Sequence, residues 1–220
     1  MRNLLIDGRI RDIEFEYLSK YFNVNKLSPS DAVYEQISAH SDIFYCKIDN
    51  KIICAPNAPI IDKSFILGMS NVEEKYPGDV PYNACQRGNI IIGSKYTDKT
   101  INPDIIVNQG YVKCSICVTS GNSCITTDSS IYKRLKEYGI DVTYIVEKNI
   151  SLLDRNGQIT KMQGFIGGAS LVFDNNFVLF GDIEKLESKD IILKHIKKYK
   201  LNLVDFKGLD VNDYGGGIIY

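Results

Sequence analysis

The stretch that decides the fold is Gly164–Asp182, GFIGGASLVFDNNFVLFGD. One apolar run enters the turn Asp174-Asn175-Asn176 and a second leaves it, ending at Asp182. Asn and Asp suit such turns because their short polar side chains bond the local backbone and tolerate left-handed conformations. Two apolar runs joined this way read as a hairpin. Ile183–Lys200 follows as a helical stretch and Leu201–Phe206 as a short strand. The pattern predicts one unit of a repeat: strand, turn, strand, helix, strand.

Variants of this unit recur along the chain. Ile43–Ile48 and Lys51–Ala55 flank the turn Asp49-Asn50, and Pro56 and Pro59 break the chain behind them. A weaker copy runs from Pro81 to Gly93, with a turn at Gly88-Asn89 before Ile90-Ile91-Ile92. A third has Lys113-Cys114-Ser115 leading a strand to Thr119, a turn at Gly121-Asn122, and a return strand Ser123–Thr127. There Asp128 is expected to cap a helix over Ser129–Tyr138 and Gly139 to end it, with a strand over Ile140–Val146. The fifth copy is split between the ends of the sequence. Asp213-Tyr214-Gly215-Gly216-Gly217-Ile218-Ile219-Tyr220 supplies its first strand, Asn3–Ile6 its second, and Arg11–Phe22 its helix. Pairing of these two strands would close a ring and remove exposed sheet edges. Similarity recurring at about 20–50 residues is the mark of a repeat architecture, propellers included. Ser28–Ala39, between the first helix and the second unit, reads as another short helix because Ser, Pro and Asp favour a helix start. The expected class is α/β, in one domain over residues 1–220.

Composition narrows the function classes. The chain has 220 residues, with 44% hydrophobic and 24% charged, ordinary values for a globular protein. A net charge of -1 gives no electrostatic reason to expect nucleic acid or an anionic membrane as partner. Charges interrupt the only apolar run of MRNLLIDGRIRD, which reads as neither a signal nor a transit peptide. The expected location is therefore the cytoplasm, with six reduced cysteines. The oligomeric state is not legible.

Five strand-turn-strand-helix-strand units closed end to end resemble the pentein fold of the guanidino-group-modifying enzymes. That group includes agmatine and arginine deiminases, dimethylarginine hydrolases and amidinotransferases. DYGGGIIY at Asp213–Tyr220 is similar to the Gly-rich strand near the end of the agmatine deiminases. PYNAC, GYVKCS and FIGGAS look like an uncharacterised bacterial branch of the superfamily. The resemblance implies a five-bladed pentein-type β/α-propeller. It also implies a Cys-dependent hydrolase, deiminase or transferase acting on a small guanidino, amidino or amine compound. The alternative is a non-catalytic member that binds a metabolite or a protein. The family's nucleophilic Cys follows the Gly-rich strand, whereas here no Cys lies beyond Cys124. The nucleophile is therefore sought elsewhere.

In such a fold the unit starts converge on the ligand. Those starts carry His40 and Asp42, Asn83 and Cys85, Lys113 and Cys114, Gly167-Gly168, and Asp213. A thiolate attacks an electron-poor carbon, a His moves protons, and carboxylates hold a cationic guanidinium or amine. Cys114 is the first candidate nucleophile and Cys85 the second; the competing reading makes each a small buried hydrophobe. His40 is the candidate base. Asp42, Asn83, Lys113 and Asp213 are the candidate substrate ligands, and a small cationic metabolite is the expected partner. If the chain is already extended there, His40 and Asp42 share one face. No cofactor is expected. Neither is a metal, because Cys114 and Cys117 fall on opposite faces of one strand and no second CxxC exists. Gly215-Gly216-Gly217 lacks the spacing of a phosphate loop. His195, in the Lys-rich stretch HIKKYK, reads as part of a solvated helix face. Gly167-Gly168 carries no reactive group and reads as scaffold.

Overall fold

A computed structural model describes residues 1–220 as an α/β structure of six small mixed sheets. Five of the sheets share one wiring. Tyr45–Ile48 pairs antiparallel with Lys51–Cys54, which pairs parallel with Ile66–Leu67. Cys85–Arg87, Ile90–Ser94 and Ile105–Val107 repeat this pattern. So do Ile116–Ser120, Ser123–Thr126 and Asp141–Tyr144, and Ser170–Phe173, Asn176–Leu179 and Asn202–Val204. The fifth sheet joins the two ends of the chain. Ile218–Ile219 pairs antiparallel with Arg2–Asp7, in the register Leu5↔Ile218, and Arg2–Asp7 pairs parallel with Phe22–Leu27. The sixth sheet, Ile159–Gln163, Ile150–Leu153 and Val211–Asn212, was not expected from the sequence.

The hairpin turns form where the sequence places Asn, Asp and Gly. Asp49, Asp174, Asn175 and Gly88 all take the left-handed backbone that these residue types tolerate. The middle strands are apolar because both of their faces are covered: Phe177, Val178 and Leu179 are each fully buried. Three crossovers are helical, at Asp12–Ser19, Ser129–Glu137 and Lys189–Lys198. Asp128 caps the second by accepting the Ser130 and Ile131 N–H groups, at 2.8 and 2.9 Å. The other two crossovers contain no helix, a departure from the expected unit. Pro56 and Pro59 fall in one and Pro103 in the other, and proline lacks the N–H that a helix interior needs.

Other expectations are also corrected. Ser28–Ala39 forms only a single 3-10 turn at Glu35–Ile37. Phe22–Leu27, read as a helix end and a connector, is a strand. His195 is buried rather than solvated. Thr119 Oγ1 lies 2.7 Å from its Nε2 and Thr143 Oγ1 2.7 Å from its Nδ1, while the lysines around it face outward. Helical spacing places Ile192, His195 and Ile196 on one inward stripe.

Each of the five first strands contributes wall residues to one cavity of about 250 Å³. No helix is long and apolar enough to cross a membrane.

Candidate functional site

The unit starts are not extended. His40 caps one turn of helix, Ser41–Phe44, and the strand begins only at Tyr45. Tyr111 stands in the same relation to Val112–Ser115 and the strand from Ile116. Phe165–Ala169 coils likewise, with the Ala169 N–H donating to the Phe165 carbonyl at 3.0 Å. The chain reaches the fifth first strand through Gly215 and Gly216, with φ of 69° and 66°, values that side-chain-bearing residues rarely adopt.

Hydrogen bonds tie these starts to one another. The Asn83 amide donates to the Asp42 carbonyl at 3.2 Å, and its Oδ1 accepts the Lys113 and Cys114 N–H groups at 2.7 and 3.3 Å. The Gly168 N–H donates to the Cys114 carbonyl at 3.1 Å, and the Gly168 carbonyl accepts from the Tyr214 and Gly216 N–H groups. Gly167-Gly168 is thus close-packing scaffold. A Cβ on Gly167 would meet three carbonyl oxygens, and one on Gly168 would sit 1.8 Å from Asp213 Oδ1.

Six of the seven residues singled out in the sequence meet here. The Cys114 thiol donates to Asp42 Oδ2 at 3.0 Å and accepts from the Asn83 amide at 3.3 Å. His40, Asp42 and Cys114 present one nitrogen, one oxygen and one sulfur within 4.8 Å of one another. His40 Nδ1 lies 3.9 Å from Asp213 Oδ1. Asp213 accepts the Phe165 and Gly215 N–H groups at 2.8 and 2.9 Å. Lys113 stands at the junction of this cluster with the cavity. Cys85 does not join them. It lies on its strand in the cavity wall, and it makes no hydrogen bond to the cluster. Cys114 and Cys117 part company too, the first in the helical turn and the second on the cavity wall. A metal would find its donors in His40, Asp42 and Cys114, a set that zinc accepts and that CxxC spacing does not reveal. All six cysteines are free and buried.

The sequence reading missed Asp7 and Arg9. Asp7 Oδ2 lies 3.7 Å from His40 Nε2 and pairs with the Arg9 guanidinium at 2.6 Å. Arg9 also donates to the carbonyls of Glu35, Gln36, Leu153 and Asp154, fixing two loops beside the site. Both residues sit at a turn after an ordinary apolar strand, and nothing in their spacing points inward. Tyr34, Tyr111 and Asp79 were missed as well. Tyr111 donates to Asp79, and the Tyr34 and Tyr111 hydroxyls lie 3.2 Å apart.

Burial governs the electrostatics. It pushes the Asp42 carboxyl up to about 6, against the pull of Lys113 and the Cys114 and Asn83 hydrogen bonds. Asp213 is pushed up to about 7 by burial, despite its two backbone donors and with the Asp42 charge adding to the rise. Burial also holds Asp7 above the usual carboxylate range. His40 falls well below its ordinary value through burial and the cations of Arg9 and Lys113. The Cys114 thiol is driven well above its ordinary value by burial and by the Asp42 and Asp213 charges. Both His40 ring nitrogens and Asp42 Oδ1 lack a hydrogen-bond partner, and buried polar atoms are rarely left so. The cluster is acidic and carries unused hydrogen-bonding capacity.

A family model of unknown function, DUF6873, matches residues 5–219. The chain belongs to that family. No curated protein and no solved structure matches it. In this DUF6873 chain the matched span takes in every residue of the buried cluster.

Proposed function

We propose that this DUF6873 chain is a five-bladed pentein-type β/α-propeller whose buried centre acts on a small guanidino, amidino or amine compound. Cys114 is the nucleophile, His40 the proton carrier, and Asp42 and Asp213 the holders of the cationic group. The observation that carries the reading is the contact of Cys114, Asp42 and His40 where the unit starts meet, with both imidazole nitrogens unpartnered. The repeated sheet wiring and the pairing of the chain ends support the propeller.

Without ligand the thiol is protonated, because desolvation and two carboxylates oppose a thiolate. A bound amidinium changes the sign of the local field and lowers the thiol pKa. The thiol proton leaves along the existing hydrogen bond to Asp42 Oδ2, whose raised pKa lets it hold the proton, and His40 beside it relays the proton onward. The thiolate adds to the electron-poor amidinium carbon as the C=N π pair moves onto nitrogen; the C–N bond then breaks, and the leaving amine takes the proton that His40 relays. The test is turnover and thermal shift over a panel of guanidines, amidines and amines. The expected result is one compound that stabilises the wild type and is turned over, with turnover lost and binding kept in Cys114→Ala. The absence of any stabilising cation would overturn the reading.

The burial of His40, Asp42, Asn83, Cys114 and Asp213 favours a second reading, a binding protein for the same cations. Binding by the wild type without turnover of any stabilising compound would select it.

A further inference from the structure

The cavity lined by the first strands lies beside the proposed catalytic cluster and is not part of it. Lys113 and Lys47 both line the cavity. The rest of the wall is largely apolar, with Cys117, Leu171 and Ile218 among its residues. The Lys113 side chain has no ion-pair or hydrogen-bond partner, although its backbone N–H donates to Asn83. A Cβ on Gly216 would lie 2.6 Å from Lys113 Nζ, so the ammonium stands beside the backbone that leads through Gly217 into the cavity wall. Asp42 lines the cavity too, but its Oδ2 is engaged by the Cys114 thiol. Lys113 also acts through space on Asp42 and Asp213, but of the charged side chains that line the cavity two are lysines and one is an aspartate, so the excess charge of the lining is positive.

We infer that this cavity is a second binding site, for a small monocarboxylate with a compact apolar body. The carboxylate gives Lys113 the charge-assisted partner that the protein withholds, and the apolar body displaces water from the strand walls. The site adjoins the Cys114 cluster but does not depend on its chemistry.

The full-length protein is titrated with hexanoate, hexanol and hexylamine by calorimetry. Hexanoate is expected to bind saturably, and the other two at least tenfold more weakly. Lys113→Met keeps the side-chain length and removes the charge; it should weaken hexanoate at least tenfold and leave hexanol unchanged. Leu171→Trp, or Ile218→Phe should the first not fold by circular dichroism, fills the cavity and should abolish binding. Cys114→Ala should retain it. The inference is overturned if hexylamine binds as well as hexanoate, if Lys113→Met binds hexanoate normally, or if hexanoate does not saturate the wild type.

Discussion

Replacing Asp213 by Asn should flatten the pH dependence of stability. The carboxyl is 1% exposed and titrates near 7 in the folded chain, against 3.8 for the free side chain. Between those values the folded chain holds a proton that the unfolded chain has lost. The group's contribution to stability is therefore complete below pH 3.8 and is lost as pH rises through about 7. Its slope in that window approaches about 1.4 kcal/mol per pH unit, some ~4 kcal/mol in all. Asn has no such term. It carries a local cost instead, because the Phe165 and Gly215 N–H groups, at 2.8 and 2.9 Å, each need an acceptor and one now faces an NH₂. That mismatch costs about 1–3 kcal/mol. The variant should thus be the less stable protein near pH 4 and match or exceed the wild type by pH 7.5. Urea denaturation at half-unit pH steps measures both curves. A stability difference that stays constant from pH 5 to 7.5 would refute the raised pKa and the buried acidic site built on it.

Asn83→Ala should cost about 2–4 kcal/mol in urea denaturation, because it strips the acceptor from two backbone N–H groups and a donor from the Cys114 thiol at once. Gly168→Ala should fail to fold stably, since its Cβ would sit 1.8 Å from Asp213 Oδ1; a melting temperature within a few degrees of wild type would contradict the close packing. Binding of a guanidinium should tighten as pH rises through about 6 to 7, where Asp42 and Asp213 ionise, and should release protons. Calorimetry in buffers of differing ionisation heat counts those protons, and a count of zero would place the cation elsewhere.

The sequence shows the hairpins plainly because their turns need particular residues, as at Asp49-Asn50 and Asp174-Asn175. It also shows which residues open the units, and those residues meet. The path of the chain through them is less legible. Ser41–Phe44 and Val112–Ser115 are single helical turns, too short for any periodicity, so His40 and Asp42 meet across a turn rather than along a strand. Phe22–Leu27 stays hidden because its interior, Asn23-Val24-Asn25-Lys26, is mostly polar and solvent-facing. His195 is hidden for the opposite reason: one inward ring among outward lysines takes its partners from distant Thr119 and Thr143. Asp7 gains its role only when the end of its strand packs against His40, a contact between distant parts of the chain that no local pattern encodes.

The central claim is that Cys114 is a nucleophile called into action by a bound cation. The direct measurement is labelling by two electrophiles of similar size, cationic chloroacetamidine and neutral iodoacetamide, with the modified site located by peptide mass spectrometry. Cys46, Cys85 and Cys117, pushed by burial up to about 12, 12 and 11, should resist both reagents in the folded protein. The account predicts rapid, saturable labelling of Cys114 alone by the amidine, slowed at least tenfold in Asp42→Asn, and little reaction with iodoacetamide. Equal rates for the two reagents, or amidine labelling spread over the other cysteines, would contradict it.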